Sequence, residues 1–241
     1  MRTFVRARTG QDGSVMALQI GMLLFPQLTQ LDLTGPHEVL ARIPGAQVHL
    51  VAKARTPVVS ESTLAIVPTA TFADLPSPDL LFVPGGFGQI AATDDPETLA
   101  WVAAAGNHAR WVTSACTGAL LLGAAGLLRG YRATTHWAYV DLLPLVGAIP
   151  TEGRVVIDGN RITGGGVTAG IDAALTIVIE LAGREVAEQI ALQLEYNPES
   201  PVHAGHPRTA PAAQVERARE KLAPRYAERL AQLRRIGRSS R

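Results

Sequence analysis

The chain has 241 residues with 22 Lys+Arg against 21 Asp+Glu, a net charge of +1, with 47% hydrophobic and 18% charged residues. That balance excludes a disordered chain and fits one generous globular domain around a single core. A single cysteine excludes an internal disulfide or a thiolate zinc site, favours a reducing compartment and therefore the cytoplasm.

Residues 1–15 carry three arginines but no apolar stretch of signal-peptide length, and no apolar run elsewhere approaches the ~18 residues that cross a membrane. Met16 directly precedes the first strand pattern, so Met1 to Val15 reads as an N-terminal extension with no part in the fold. The first strand is expected in Ala17 to Phe25, a nearly continuous apolar run ended by Pro26, as in a strand buried on both faces of a parallel sheet. Leu31 to Leu40 reads as a helix, with Thr34 as cap and Pro36 in the first turn, which sets Asp32 at a strand-to-helix connection.

Further strands are expected at Gln47 to Val51, Leu80 to Val83, Trp111 to Thr113 and Arg161 to Thr163. Helical patterns at Pro96 to Asn107, Gly118 to Ala125, Trp137 to Leu143 and Ala169 to Leu181 separate several of them. The alternation points to an α/β fold with a mostly parallel sheet covered by helices on both faces. Val58 to Val67 alternates as an antiparallel hairpin would, and Asn197 to Pro211, with four prolines, reads as a surface arm. The domain thus occupies 16–211, followed over 212–241 by a basic amphipathic helix that Pro224 is expected to kink or split. That basic run reads as a solvated helix face covering the core or a partner subunit, with no nucleic acid or membrane as partner.

The chemistry is concentrated in Trp111-Val112-Thr113-Ser114-Ala115-Cys116-Thr117-Gly118, a strand running through small residues into a helix. A nucleophile at such a turn stands on an elbow, and the helix N-terminus favours thiolate over thiol. The competing reading is a buried, inert cysteine. Phe82-Val83-Pro84-Gly85-Gly86 is a strand ending in a glycine turn whose N–H groups can steady a developing anion. Asp32 belongs to the same sheet edge, either as a proton donor with a raised pKa or as a helix-entry residue bonding backbone amides. Thr117 either holds substrate or satisfies the helix terminus. His136 invites a cysteine–histidine pair but ranks behind Asp32 for proton transfer. No histidine is followed two residues later by glutamate, so the acid–base pair of a glutamine-hydrolysing amidotransferase is missing. His203 and His206 lack a third ligand and read as surface residues, so no metal site is expected.

Five stretches, LLFPQLTQLDLTGPHEVL, FVPGG, VTSACTGALLLGAAGLLRGYRATTHWAY, GNRITGGGVTAGIDAAL and LQLEYNPESP, resemble the PfpI-like branch of the class I glutamine amidotransferase-like superfamily, and within it the isonitrile hydratases. The likeness spans Ala17 to Pro211. It implies a flavodoxin-like three-layer sandwich, a homodimer, and no metal or organic cofactor. It also implies that Cys116 is the nucleophile, Asp32 its essential acidic partner and Thr117 a neighbour of the reacting group. A small-molecule isonitrile is then the expected substrate, hydrated to an N-substituted formamide through a cysteine thioimidate, with Gly85, Gly86 and His136 around it. The N-terminal extension, the Phe87-Gly88-Gln89 loop and SPVHAGHP depart from the family pattern and bear on substrate choice.

Two other readings stand beside this one. AraC-type regulators carry a closely similar sensor domain but continue into a DNA-binding half of roughly a hundred residues, whereas about thirty remain here after Pro211. Glyoxalase-like or deglycase chemistry on small aldehydes is the second.

Overall fold

The computed structural model describes residues 17–239. Met1 to Val15, assigned above to an extension, lies outside the described residues. The core is a seven-stranded sheet built from β1 (Leu18–Leu23), β2 (Ala46–Ala52), β5 (Ala70–Thr71), β6 (Leu80–Val83), β7 (Trp111–Ser114), β10 (Val155–Asp158) and β11 (Arg161–Gly164), in the order β10-β11-β7-β6-β1-β2-β5. Every pairing is parallel except that of β10 with β11. The continuous apolar runs foreseen for β1 and β6 have their physical reason here: Ile20, Met22, Leu80, Leu81 and Phe82 are fully buried, because helices cover both faces. Val58 to Val67 does form an antiparallel hairpin, β3 (Val58–Val59) with β4 (Ala65–Ile66), outside the main sheet. A second small pair joins β8 (Arg132–Ala133) to β9 (Ile149–Pro150).

The helices fall into two sets by what they touch. On one side α1 (Gln30–Leu40) packs on α5 (Ala169–Ala182), and α5 on α6 (Arg184–Gln193). On the other, α2 (Gln89–Asp94), α3 (Pro96–His108) and α4 (Gly118–Ala124) pack together, α4 meets a 3-10 helix over Trp137–Val146, and α7 (Ala212–Ser239) lies across that 3-10 helix and α2. The result is the three-layer sandwich expected from the sequence. Strand order reverses between β1 and β6: β2 and β5 extend the sheet one way, β7 and β11 the other. The segments following β1, β6, β7 and β11 therefore meet along one edge, at the switch point where open α/β sheets bind ligands.

Several local expectations need correction. The first helix starts at Gln30 behind Thr29, so Thr34 is interior and its hydroxyl donates to Gln30 Oε1 at 2.9 Å rather than capping. Pro36 lies inside the helix, buried against α5, where packing outweighs its missing N–H. The Trp137 segment is 3-10 rather than α. The α7 helix runs unbroken through Pro224. The short β5, the antiparallel edge strand β10 and α6 were not foreseen, since two-residue strands and half-polar edges carry little periodicity.

The α1–α5 contact fixes where α1 sits, and Gly35 sets its distance: a Cβ there would lie 2.9 Å from Ile171 Cγ1. Gly35→Val is expected to lower unfolding free energy by about 1–3 kcal/mol through overpacking. Urea unfolding checks this, and an unchanged midpoint would mean that the two helices separate freely.

Candidate active site

Cys116 occupies the turn between β7 and α4 with φ at +52°, a left-handed conformation that a non-glycine residue rarely holds. Three hydrogen bonds impose it. The Cys116 N–H is shared by the carbonyls of Gly164 (3.1 Å) and Gly165 (2.7 Å), and the Thr135 hydroxyl donates to the Cys116 carbonyl at 2.7 Å. Gly118 lets the elbow close on the neighbouring strand, because a Cβ there would fall 2.1 Å from the Val83 carbonyl oxygen. The strand–cysteine–helix pattern thus produces the nucleophile elbow anticipated from the sequence.

Asp32 faces that elbow from the first turn of α1. It caps nothing in its own helix. Its Oδ2 accepts from the Gly85 N–H at 3.1 Å, across from β6, and its Oδ1 is buried with no hydrogen-bond partner. The Cys116 thiol approaches the carboxyl closely enough for each to perturb the other's titration, without the alignment of a well-formed hydrogen bond. Gly85 makes the meeting possible: a Cβ there would sit 2.6 Å from the Thr117 nitrogen, 2.8 Å from Thr117 Oγ1 and 2.9 Å from Asp32 Oδ2. Thr117 itself is buried, and its Oγ1 accepts from the Gly86 N–H at 3.1 Å. The amides of Gly85 and Gly86 are therefore engaged in holding Asp32 and Thr117, not left open toward a ligand. The Thr117 N–H is the amide directed at the sulfur.

His136 makes the entry to the 3-10 helix, its Nδ1 accepting from the Ala138 N–H at 3.3 Å, which places the ring proton on Nε2. No hydrogen bond joins it to Cys116 among the described residues. Burial, and then the Arg229 charge, lower its pKa to about 4, so it stays neutral and is a poor base at pH 7. His203 and His206 lie exposed in the arm after α6, and the described residues contain no group of three or more His, Cys, Asp or Glu able to hold a metal.

Comparison with known proteins identifies the family. Residues 19–180 match the model of the DJ-1/PfpI family. The chain is 57% identical over 209 residues to an isonitrile hydratase of Pseudomonas putida, covering 87% of this chain and 92% of that protein. A crystal structure of a ThiJ/PfpI family protein from Pseudomonas syringae superposes with a TM-score of 0.88 at 46% identity, covering 95% of this chain and 97% of that one. The chain belongs to the DJ-1/PfpI family. The transcriptional regulator CdhR of Pseudomonas aeruginosa is 31% identical over 149 residues, 60% of this chain and 44% of its own length.

Within this DJ-1/PfpI site burial works against the thiolate expected from the helix start. Burial, and next the Asp32 carboxyl, push the Cys116 thiol well above its ordinary value. The Thr117 N–H pulls the other way without prevailing, and α4, with seven residues, offers only a slight dipole. Burial likewise raises Asp32 to about 7, against opposing contributions from the Cys116 thiol and the Gly85 N–H. The Asp32 carboxyl and the Thr117 N–H bear directly on the sulfur, and the Arg229 charge and the Tyr139 phenol also act on it.

Arg229, from α7, is one of two residues that the sequence reading missed. It is buried to 1% exposure, its Nη2 donates to the Gly86 carbonyl and its Nε to Gln89 Oε1, both at 2.9 Å, and its guanidinium stacks 4.5 Å above the Tyr139 ring. A signal was present: Arg229 falls on the apolar stripe of Leu222, Tyr226 and Leu233, where a solvated arginine does not belong. Glu61, from the β3–β4 hairpin, was missed too. It accepts from the Thr29 hydroxyl at 2.8 Å and helps to raise Asp32.

The Asp32 shift makes stability depend on pH. The folded protein binds the Asp32 proton up to about pH 7, the unfolded chain only to the usual 3.8, so the stabilisation present below about pH 4 is lost as pH rises through 7. That gap corresponds to ~4 kcal/mol as an upper figure. Asp32→Asn is expected to match wild type near pH 4 and to exceed it by up to ~4 kcal/mol at pH 8. Urea unfolding at pH 4, 6 and 8 checks this; parallel pH profiles for the two proteins would refute a neutral buried acid.

Proposed function

We propose that this chain is an isonitrile hydratase that converts R–N≡C to an N-substituted formamide, with Cys116 as nucleophile and Asp32 as the group that moves the protons. The observation that carries the reading is a buried thiol facing a carboxyl whose pKa lies near neutrality and whose Oδ1 has no other partner. The likeness to the Pseudomonas putida hydratase supports the substrate class. An isonitrile carbon must gain both a nucleophile and a proton, so one thiol and one carboxyl on a common cavity are the tools required.

The steps follow from the charge state. Ionised Asp32 takes the thiol proton as sulfur bonds to the isonitrile carbon, and returns it to that same carbon, giving the thioimidate R–N=CH–S–Cys116. The Thr117 N–H steadies the sulfur while its charge develops. Water then adds to the thioimidate carbon, Asp32 removing a proton from the water and passing it to nitrogen. Breaking the C–S bond, with the hydroxyl proton returned to sulfur, releases R–NH–CHO. Hydrogen bonds to Gly85 and Gly86 keep Asp32 and Thr117 in register throughout. Cys116→Ala and Asp32→Asn are each expected to abolish formamide formation from cyclohexyl isocyanide, followed by NMR, while circular dichroism stays unchanged. Turnover by Cys116→Ala would end the covalent scheme, and conversion of methylglyoxal instead of the isonitrile would move the protein to the aldehyde-acting reading. Binding without turnover would make it a sensor.

The enzyme is further proposed to work as a cytoplasmic homodimer. A catalytic thiol that must remain reduced favours a reducing compartment, and no described helix is long and apolar enough to cross a membrane. Val59, Leu64 and Val67, exposed along the β3–β4 hairpin, form an apolar edge suited to a second copy. Light scattering at micromolar concentration should give twice the chain mass, and a monomer mass would refute the dimer.

A further inference from the structure

We propose that Arg229 is a positioning residue of this active site: the C-terminal helix α7 inserts its guanidinium fork beneath the glycine turn after β6 and thereby fixes the two groups that this turn holds, Asp32 and Thr117. The chain of contacts is continuous. Arg229 Nη2 donates to the Gly86 carbonyl at 2.9 Å. The Gly86 N–H donates to Thr117 Oγ1, and the adjoining Gly85 N–H donates to Asp32 Oδ2, each at 3.1 Å. The guanidinium is itself oriented by Gln89, whose Oε1 accepts from Nε at 2.9 Å and whose amide nitrogen donates to Thr93 Oγ1 at 2.7 Å, and by the Tyr139 face against which it stacks.

A buried cation costs far more than a solvated one unless its donors are used, so an arginine at 1% exposure needs a reason beyond packing. One of its donor positions, Nη2, holds the turn, and a second, Nε, is taken by the Gln89 side chain. Nη1 has no partner, as Tyr139 Oη has none, so the fork is retained although it is not fully satisfied. A planar fork reaches the Gly86 carbonyl and Gln89 Oε1 together, which a single ammonium on a flexible stem does not reproduce. Arg229 lies beyond residues 19–180, which match the family model, so the clamp comes from outside the shared family core. Its charge also opposes, as a minor contribution, the rise that burial imposes on the Cys116 thiol; Asp32 from α1 and Tyr139 from the 3-10 helix are the other titratable groups that bear on the sulfur.

The inference rests on the hydratase reading for its kinetic test, and an activity-free arm separates the two. Arg229→Lys keeps the charge and loses the fork; Arg229→Met loses both. Leu233→Ala, a fully buried apolar residue one turn along the same helix, weakens helix docking without touching the clamp. Both Arg229 variants are expected to lose about tenfold or more in kcat with cyclohexyl isocyanide while KM changes little. Leu233→Ala should keep kcat at a comparable drop in melting temperature. In the second arm, the pH profile of Cys116 alkylation by iodoacetamide should move to higher pH in Arg229→Met and stay near wild type in Arg229→Lys. Full kcat in Arg229→Lys, or equal kcat losses in Leu233→Ala at matched stability, would overturn the clamp. If wild type fails to hydrate isonitriles, the functional reading falls alone, and an alkylation profile unmoved in Arg229→Met would then overturn this inference as well. Should Arg229→Met not fold, Arg229→Lys decides the question.

Discussion

The structure turns on one desolvated meeting, that of the Asp32 carboxyl with the Cys116 thiol. Neither group is comfortable there. Burial favours the neutral form of both, raising the acid to about 7 and the thiol well above its usual value. Burial therefore opposes charge on the sulfur, and the acid beside it lies near the balance between its two states. A sulfur whose proton must first find an acceptor suits the proposed addition to a carbon that takes up both the sulfur and the proton.

Everything that brings the two together is a matter of close approach at one sheet edge. The reversal of strand order between β1 and β6 delivers α1, the Gly85–Gly86 turn and the Cys116 elbow to the same place. A missing side chain at residue 85 allows Asp32 Oδ2 and Thr117 to share one small volume. The left-handed Cys116 backbone stores strain that the Gly164, Gly165 and Thr135 hydrogen bonds hold in place. Those three residues belong to β11, the turn after it and the segment after β8, so the elbow is fixed by distant chain and not by its own loop. Stability is given up at the site and recovered from the fully buried strands beneath it.

The parts legible in the sequence were those governed by local pattern. Continuous apolar runs identified β1 and β6, and small residues between a strand and a helix identified the elbow. Asp32 was read as belonging to the sheet edge, and the structure shows its Oδ2 bonded to the Gly85 N–H and not to its own helix. The burial that opposes a Cys116 thiolate was not legible, because the sequence displays a helix start but not its depth. Gly85 and Gly86 were recognised as important for their amides. Which acceptor each amide serves depends on tertiary placement that no local signal carries.

Arg229 marks the limit of pattern reading most clearly. On a helical wheel it looks like one more basic residue in a basic tail, and only its place among Leu222, Tyr226 and Leu233 marks it as different. The arginines of α7 do not share one fate: Arg225 and Arg219 lie over Phe87 and Trp137 at 5.2 and 5.4 Å, while Arg229 alone of these three is buried and bonded to the glycine turn. A terminal helix of this kind makes the inner layer of a widely shared fold depend on a segment outside it. The elbow and its carboxyl supply a general thiol–acid pair, and the helix adds a fixed cation on the far side of the turn that carries them. Specialisation of such a site does not require new chemistry at Cys116, since altering what holds Gly86 alters how Asp32 and Thr117 stand toward the sulfur.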